Sequence, residues 1–174
     1  MGGYFRSQVP LVVGSVIVVL LQLMVAPFIT IGYAMPNFIL AFVVVMALVR
    51  AGDPGYITPF LLGLIYDLAG SGPVGGMALL CVLATFAISR LFSLFDNDTL
   101  FVPVALIVAF IFLVEFSYGI LMIACGLDVG LLEACLYRVL PCGLYDTVIA
   151  LILLPIALRI FVSKPRSNEM TLIR

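Results

Sequence analysis

Apolar residues fill six stretches of this chain, and short groups of glycine, proline and charged residues separate them. The stretches cover residues 9–28, 36–50, 56–69, 73–95, 101–125 and 139–162. A helix needs about 20 apolar residues, and about 17 at the least, to cross the hydrocarbon core of a bilayer. The pattern therefore predicts an all-α integral membrane protein with six transmembrane helices. The second and third stretches are short enough to be re-entrant segments instead.

The positions of lysine and arginine indicate the orientation of these helices, because positive charge stays on the cytoplasmic side. If the N-terminus is cytoplasmic, Arg138 is the basic residue left outside. The basic residues then placed inside are Arg6, Arg50, Arg90, Arg159, Lys164, Arg166 and Arg174. Both termini are therefore predicted to be cytoplasmic. Residues 1–163 would form a single six-helix transmembrane domain, followed by a short cytoplasmic tail at 164–174.

The composition excludes several function classes. The chain is 65% hydrophobic and 10% charged, with a mean hydropathy of +1.35, whereas soluble domains are about a quarter charged. Its net charge of −1 gives no electrostatic reason to bind nucleic acid. It contains no histidine, the commonest general base and metal ligand. We therefore expect no enzymatic activity, no metal and no cofactor.

Three acidic residues, Asp67, Glu115 and Asp146, lie inside apolar stretches. A charge within the bilayer is costly, so each should face protein or a cavity. Asp67 precedes a glycine-rich turn at 70–76, and its carboxylate is predicted to accept hydrogen bonds from the N–H groups of that turn. Asp146 is a candidate partner for Arg138, and Glu115 has no evident partner. A proton or ion pathway through the three acids is the alternative to these structural roles.

Small residues and cysteines are open to more than one interpretation. Gly63 would allow close approach of the third helix to a neighbour. Gly72 and Gly75 would serve the geometry of the 70–76 turn. Cys125 and Cys135 would either form a disulfide or, like the other two cysteines, act as small buried apolar residues.

The segment before the sixth stretch has helical spacing of its own. Leu131, Leu132 and Leu136 recur at intervals that place them near one another on a helix, and Asp128 is a candidate cap for its start. The segment is predicted either to lie on the outer membrane surface as a short helix or to extend the sixth helix outward.

Three motifs resemble those of the rod shape-determining MreD family. They are Met35-Pro36-Asn37 at the start of the second stretch, Phe60-Leu61-Leu62-Gly63-Leu64-Ile65-Tyr66-Asp67 in the third, and Pro73-Val74-Gly75-Gly76-Met77-Ala78-Leu79 at the start of the fourth. They are similar to the family's Pro-Asn or Pro-Asp start, its G-F-x-x-G-L-x-x-D segment and its P-x-G-x-x-A-L segment. The chain departs from the family at Tyr145-Asp146, where the family usually has Tyr-Asn. The resemblance makes Gly63, Asp67, Gly72, Pro73, Gly75 and Asp146 the candidate site residues.

The resemblance implies a non-enzymatic subunit of the bacterial cell-elongation (rod) complex in the inner (cytoplasmic) membrane. Such a subunit binds an MreC-type scaffold protein. Through that scaffold it is linked to MreB filaments and to the elongation glycosyltransferase–transpeptidase pair, and it supports cell shape and peptidoglycan synthesis. Leu131, Leu132 and Leu136, with the 70–76 turn, are the expected partner surface, although membrane lipid would also suit these leucines.

The family also resembles, in fold, the substrate-binding components of energy-coupling-factor vitamin transporters. That likeness supplies the alternative function, a ligand-binding subunit of such a transporter. Those components usually carry an Ala-x-x-x-Ala pair on the first helix, and residues 11–19 contain none.

Overall fold

The described residues form six helices packed into one bundle. A computed structural model describes residues 2–32, 34–70, 72–94, 101–126 and 130–161. The helices are α1 (Gly2–Leu20, continued by a π-helical turn at Leu21–Val25 and a 3-10 turn at Ala26–Ile29), α2 (Phe38–Val49), α3 (Ile57–Ala69), α4 (Gly76–Phe92), α5 (Phe101–Ala124) and α6 (Leu131–Phe161). The predicted tail at 164–174 and the predicted cap Asp128 lie outside the described residues.

Hydrogen bonds between α1 and α2 show that these two helices are antiparallel. Gln22, late in α1, bonds to the backbone of Pro36 and Phe38 at the start of α2. Arg50, just after α2, donates to Gln8 early in α1. One end of the bundle contains the ends of α1, α3 and α5 and the starts of α2, α4 and α6. We call it the network end, after the buried hydrogen bonds that lie toward it. Arg50, Arg90 and Arg159 lie toward the opposite end.

Helix α2 is the centre of the core. Every residue from Ile39 to Leu48 is buried, and α2 packs mainly against α6 and α4. Its 12 residues span about 18 Å at about 1.5 Å per residue, which is less than the roughly 30 Å of bilayer hydrocarbon. Because all these residues are buried, protein surrounds this helix on all sides and the helix exposes almost no surface to lipid.

Three of the six helices are long and apolar enough to cross a membrane alone. These are Gln8–Ile29, Phe101–Ala124 and Leu131–Phe161, with 22, 24 and 31 residues. The other three, α2, α3 and α4, have 12, 13 and 17 residues. Large apolar side chains such as Val12, Leu83 and Ile152 are more than half exposed on the outside of the bundle. The chain thus has the surface of a membrane protein, while six complete crossings remain a prediction.

The segment around Leu131 is part of α6, so the predicted separate surface helix is wrong and the alternative, an extension of the sixth helix, is correct. The α-helical turn Leu131–Ala134 continues through a π-helical turn at Cys135–Val139 into Leu140–Phe161. Pro141 is the second residue after the π-helical turn, and the helix does not end there. A proline lacks the N–H that an α-helix needs, and the wider turn before it accommodates this irregularity.

All four cysteines are free thiols. Cys81 and Cys142 are buried, Cys135 is half-buried and Cys125 is exposed. The disulfide between Cys125 and Cys135 that the sequence left open is therefore not formed in this structure.

Candidate functional site

Asn37 joins three helices through hydrogen bonds at the network end. Its side-chain oxygen accepts from the N–H of Leu40 at 2.9 Å and so caps α2. Its backbone N–H donates to Oδ1 of Asp146 on α6 at 2.6 Å, and its Nδ2 donates to Oε1 of Glu115 on α5 at 3.5 Å. The side chains of Asn37, Glu115 and Asp146 are all buried. No partner for Glu115 is evident in the sequence, and the structure shows that Asn37 is its partner.

Asp146 does not pair with Arg138, so that predicted ion pair is wrong. Arg138 instead lies over the ring of Tyr118, with its Cζ 5.4 Å from the ring centroid. The second oxygen of Asp146, Oδ2, and Oγ1 of the neighbouring Thr147 are buried, and neither has a hydrogen-bond partner among the described residues. One oxygen of this carboxylate therefore binds the start of α2, and the other can still accept a hydrogen bond.

Gln22 is a member of this network that sequence reasoning missed. It is buried in the π-helical turn of α1. Its Oε1 accepts from the N–H of Phe38 at 2.8 Å, and its Nε2 donates to the carbonyl of Pro36 at 3.2 Å. The available signal was a single amide inside a stretch of some 20 apolar residues, because such an amide needs partners within the bundle. Gln22 and Asn37 together fix the start of α2.

Asp67 at the end of α3 accepts hydrogen bonds from the backbone N–H groups at the start of α4. Its Oδ2 accepts from Gly75 at 2.9 Å, Met77 at 3.0 Å and Ala78 at 3.2 Å. The hydroxyl of Tyr118 also donates to Oδ1, at 3.5 Å. The sequence predicted an acceptor for the N–H groups of the 70–76 turn. The contacts extend past that turn into the first residues of α4, where a helix leaves N–H groups without intrahelical partners.

The candidate glycines lie where backbones or rings come close. A Cβ at Gly63 would stand 2.5 Å from Cα of Ala78, so this glycine allows α3 and α4 to touch. A Cβ at Gly72 would meet the hydroxyl of Tyr118. Gly75 caps α4 with φ of +93°, a conformation that favours glycine. Gly143, which the sequence did not single out, would place a Cβ 2.7 Å from the ring of Phe112.

Pro73 closes the turn that carries these glycines. Its carbonyl accepts from the N–H of Gly76 at 3.1 Å, which forms a tight turn just before α4. The turn thereby directs the N–H groups of Gly75 and Met77 toward Asp67. Asp67, Pro73 and the glycines of the 70–76 turn thus form one structural unit, whereas Asp146 belongs to the unit around Asn37.

A cavity of about 300 Å³ lies beside both units at the network end. Helices α1, α3, α5 and α6 and the 70–76 turn contribute to its walls. Tyr66 and Tyr118 form one side, with their rings edge to face at a centroid distance of 6.1 Å. Arg138 and Gln22 are further polar residues of its lining. None of the three buried acids contributes to the described lining of this cavity.

The predicted partner residues lie on the outside of α6 at the same end. Leu131, Leu132 and Leu136 are 51%, 75% and 52% exposed. Tyr137 beside them is exposed as well. Ala134, on the opposite side of the same turns, is buried against the bundle. The leucines therefore form an apolar strip that no described part of the chain covers.

Chemically, the arrangement holds helices together. Each buried carboxylate accepts at least one hydrogen bond from a group on another helix or turn. Such satisfied polar contacts are the usual way that a bundle tolerates acids at membrane depth. The exposed strip on α6 and the cavity are two features available for contact with other molecules.

Comparison with known proteins gives one match. A family model described as rod shape-determining protein MreD matches residues 5–164. No curated protein and no solved structure matched the chain. The expected likeness to energy-coupling-factor transporter components therefore remains a prediction. The family match covers nearly the whole chain, including every helix and residue of the network, and the protein belongs to the MreD family of rod shape-determining membrane proteins.

Proposed function

We propose that this protein is a non-enzymatic subunit of the bacterial cell-elongation complex and that it binds an MreC-type scaffold protein. Through that scaffold it would be linked to MreB filaments and to the glycosyltransferase–transpeptidase pair that makes peptidoglycan. The observation that carries the proposal is the family match over residues 5–164. Its shape-determining role requires contact with other proteins, because the bundle has no soluble domain among its described residues to act on the cell wall directly.

In the proposed topology the protein is a multi-pass protein of the inner membrane, and both of its termini are cytoplasmic. The positions of the arginines support this orientation. Arg50, Arg90 and Arg159 lie toward one end of the bundle, and Arg138 lies at the network end. Under the positive-inside rule, the network end then faces the periplasm.

The scaffold-binding surface in this proposal is the apolar strip of Leu131, Leu132 and Leu136, together with the 70–76 turn. The strip lies where α6 leaves the bundle, and Glu133 is exposed next to it. An apolar patch with a charged rim is typical of a protein contact site. It suits a partner helix that runs out of the membrane next to α6.

The test is co-purification of the MreC-type partner from native membranes. Leu132→Glu and Leu136→Glu are expected to lower partner recovery by about tenfold, the effect of losing an interface residue worth about 1.4 kcal/mol. They should also round the cells of a rod-shaped host. Ile57→Glu is the matched control, because Ile57 is 76% exposed against 75% for Leu132 but begins α3 at the opposite end.

All variants must first reach wild-type abundance in the membrane. If Leu132→Glu and Leu136→Glu then recover as much partner as Ile57→Glu does, the strip is not the scaffold-binding surface. If the wild-type protein recovers no scaffold at all, the proposed function itself is wrong.

A further inference from the structure

The cavity at the network end combines a cationic group with an apolar wall. Arg138 and the tyrosines Tyr66 and Tyr118 lie on one side, and Leu23 and Met122 are among the apolar residues of the lining. Its volume of about 300 Å³ is at the small end of the range for ligand pockets. That volume suits the polar head of a small amphiphile and is too small for an entire lipid.

Arg138 is the only charged residue in the described lining of this cavity. The ring of Tyr118 holds the guanidinium in place, at 5.4 Å from Cζ to the ring centroid. Among the described residues, no carboxylate lies within ion-pair distance of Arg138. A guanidinium has five N–H donors, and in a lining that is more apolar than polar those donors favour an anion.

The nearby acids accept hydrogen bonds from other groups. Asp67 accepts hydrogen bonds from backbone N–H groups at the start of α4, and Asp146 accepts one from the N–H of Asn37. Glu115 accepts from the side chain of Asn37. All three carboxylates are buried outside the cavity lining, so a ligand in the cavity meets the guanidinium rather than a carboxylate.

The apolar side of the cavity opens toward the lipid-facing surface of α1. Leu23 lines the cavity and is 48% exposed, so the wall continues onto the outside of the bundle. Pro27, one turn further along α1, extends the same wall. An apolar chain attached to a bound head group would leave the cavity along this path.

We propose that this cavity binds a phosphate ester attached to an apolar chain, with Arg138 pairing the phosphate. A guanidinium matches two phosphate oxygens through parallel hydrogen bonds, which makes the phosphate the group it recognises best. The chain lies along Leu23 and Pro27, in contact with the membrane. This ligand site goes beyond the proposed scaffold binding and does not depend on it.

The test is lipid retention by the purified full-length protein, measured by native mass spectrometry. The probes are dioleoylphosphatidylglycerol, which is a net anionic phosphodiester, dioleoylphosphatidylcholine, which is zwitterionic, and inorganic phosphate. The wild-type protein is expected to retain the anionic lipid about tenfold better than the zwitterionic one. Arg138→Gln should remove this preference, and Arg138→Lys should keep part of it, because the charge remains but the paired geometry is lost.

Two further variants separate the site from general effects. Arg159→Gln removes an exposed arginine from the other end of the same helix and should leave retention unchanged. Met122→Trp fills the cavity while keeping Arg138, so it should lower retention even if Arg138→Gln does not fold. Equal losses in Arg138→Gln and Arg159→Gln, or no preference between the two lipids, would overturn the proposal.

The measurement with inorganic phosphate distinguishes a free anion from the head group of a lipid. Saturable stabilisation of the wild-type protein by inorganic phosphate, lost in Arg138→Gln and accompanied by no lipid retention, would support the anion site but overturn the apolar chain. Retention of the anionic lipid without any effect of phosphate supports the amphiphile as stated.

Discussion

The backbone N–H of Asn37 lies 2.6 Å from Oδ1 of Asp146, although 109 residues separate them in the chain. This hydrogen bond attaches the cap of α2 to the middle of α6. Both residues are buried, so water does not compete for the contact. A buried hydrogen bond to a carboxylate is among the stronger single contacts that a protein makes.

Replacing Asp146 with leucine should destabilise the protein. Leucine has the same branched shape and number of heavy side-chain atoms but leaves the buried N–H of Asn37 without an acceptor, at a cost of about 1–3 kcal/mol in the free energy of unfolding. Asp146→Asn should unfold close to wild type, because its carbonyl oxygen still accepts. With Cys125 and Cys135 replaced by serine, thermal unfolding can be followed with a thiol-reactive dye, since Cys81 and Cys142 are buried until the bundle opens. A leucine variant as stable as wild type would show that this contact contributes little.

Asp67→Ala should lower both thermal stability and membrane abundance. It leaves the N–H groups of Gly75, Met77 and Ala78 without their side-chain acceptor, at about 1–3 kcal/mol for each group left unpaired. Asp67→Asn should be milder, because the amide oxygen still accepts. Asp53→Ala is the control, since the Asp53 side chain is 68% exposed. If Asp67→Ala and Asp53→Ala behave alike, Asp67 does not hold the start of α4.

Gly63→Ala should separate α3 from α4. The added Cβ would lie 2.5 Å from Cα of Ala78, and backbone cannot move aside as a flexible side chain can. Overpacking of this kind costs about 1–3 kcal/mol, which should appear as a lower unfolding midpoint. Gly52→Ala provides the comparison, because nothing lies within 4 Å of its Cβ position. An equal effect of the two alanines would contradict the close contact.

The proposed orientation predicts which positions an impermeant thiol reagent reaches in intact cells. In a cysteine-free background, cysteines introduced at Ser7 and Ser167 should be shielded, because both termini are proposed to be cytoplasmic. A cysteine at Ser71, in the 70–76 turn, should be labelled. Labelling at either terminal position would reverse the topology and place the network end in the cytoplasm.

The positions of the helices could be predicted from the sequence because each one is a local feature. The pattern of apolar stretches placed six helices, and their bounds differ from the structure mostly by one to three residues at each end. The sequence left one choice open before the sixth stretch, between a separate surface helix and an extension of the sixth helix. A π-helical turn before Pro141 keeps the helix continuous, and such a turn has no signature in the apolar pattern.

The contacts of the network could be predicted only in part, for a physical reason. Asp67 and the start of α4 are about ten residues apart, so a tight turn between them was enough to suggest the contact. Asn37 and Asp146 meet only because α2 packs against α6, and nothing in a single chain reveals which distant helices are neighbours. Arg138 was the candidate partner of Asp146 because it was the one basic residue predicted to lie outside, yet it lies over Tyr118 instead.

The burial of α2 has a consequence for how the chain is made. Most of the residues that cover α2, on α4 and α6, are synthesised after it. A newly inserted α2 therefore meets lipid first and protein later. Its residues Phe38–Val49 are all apolar, with no face that distinguishes one neighbour from the other. Lipid tails are as apolar as these side chains. The apolar part of α2 can thus remain in the bilayer at little cost before its neighbours arrive. The N–H of Asn37 is different, because its acceptor Asp146 is available only after the last helix has been made.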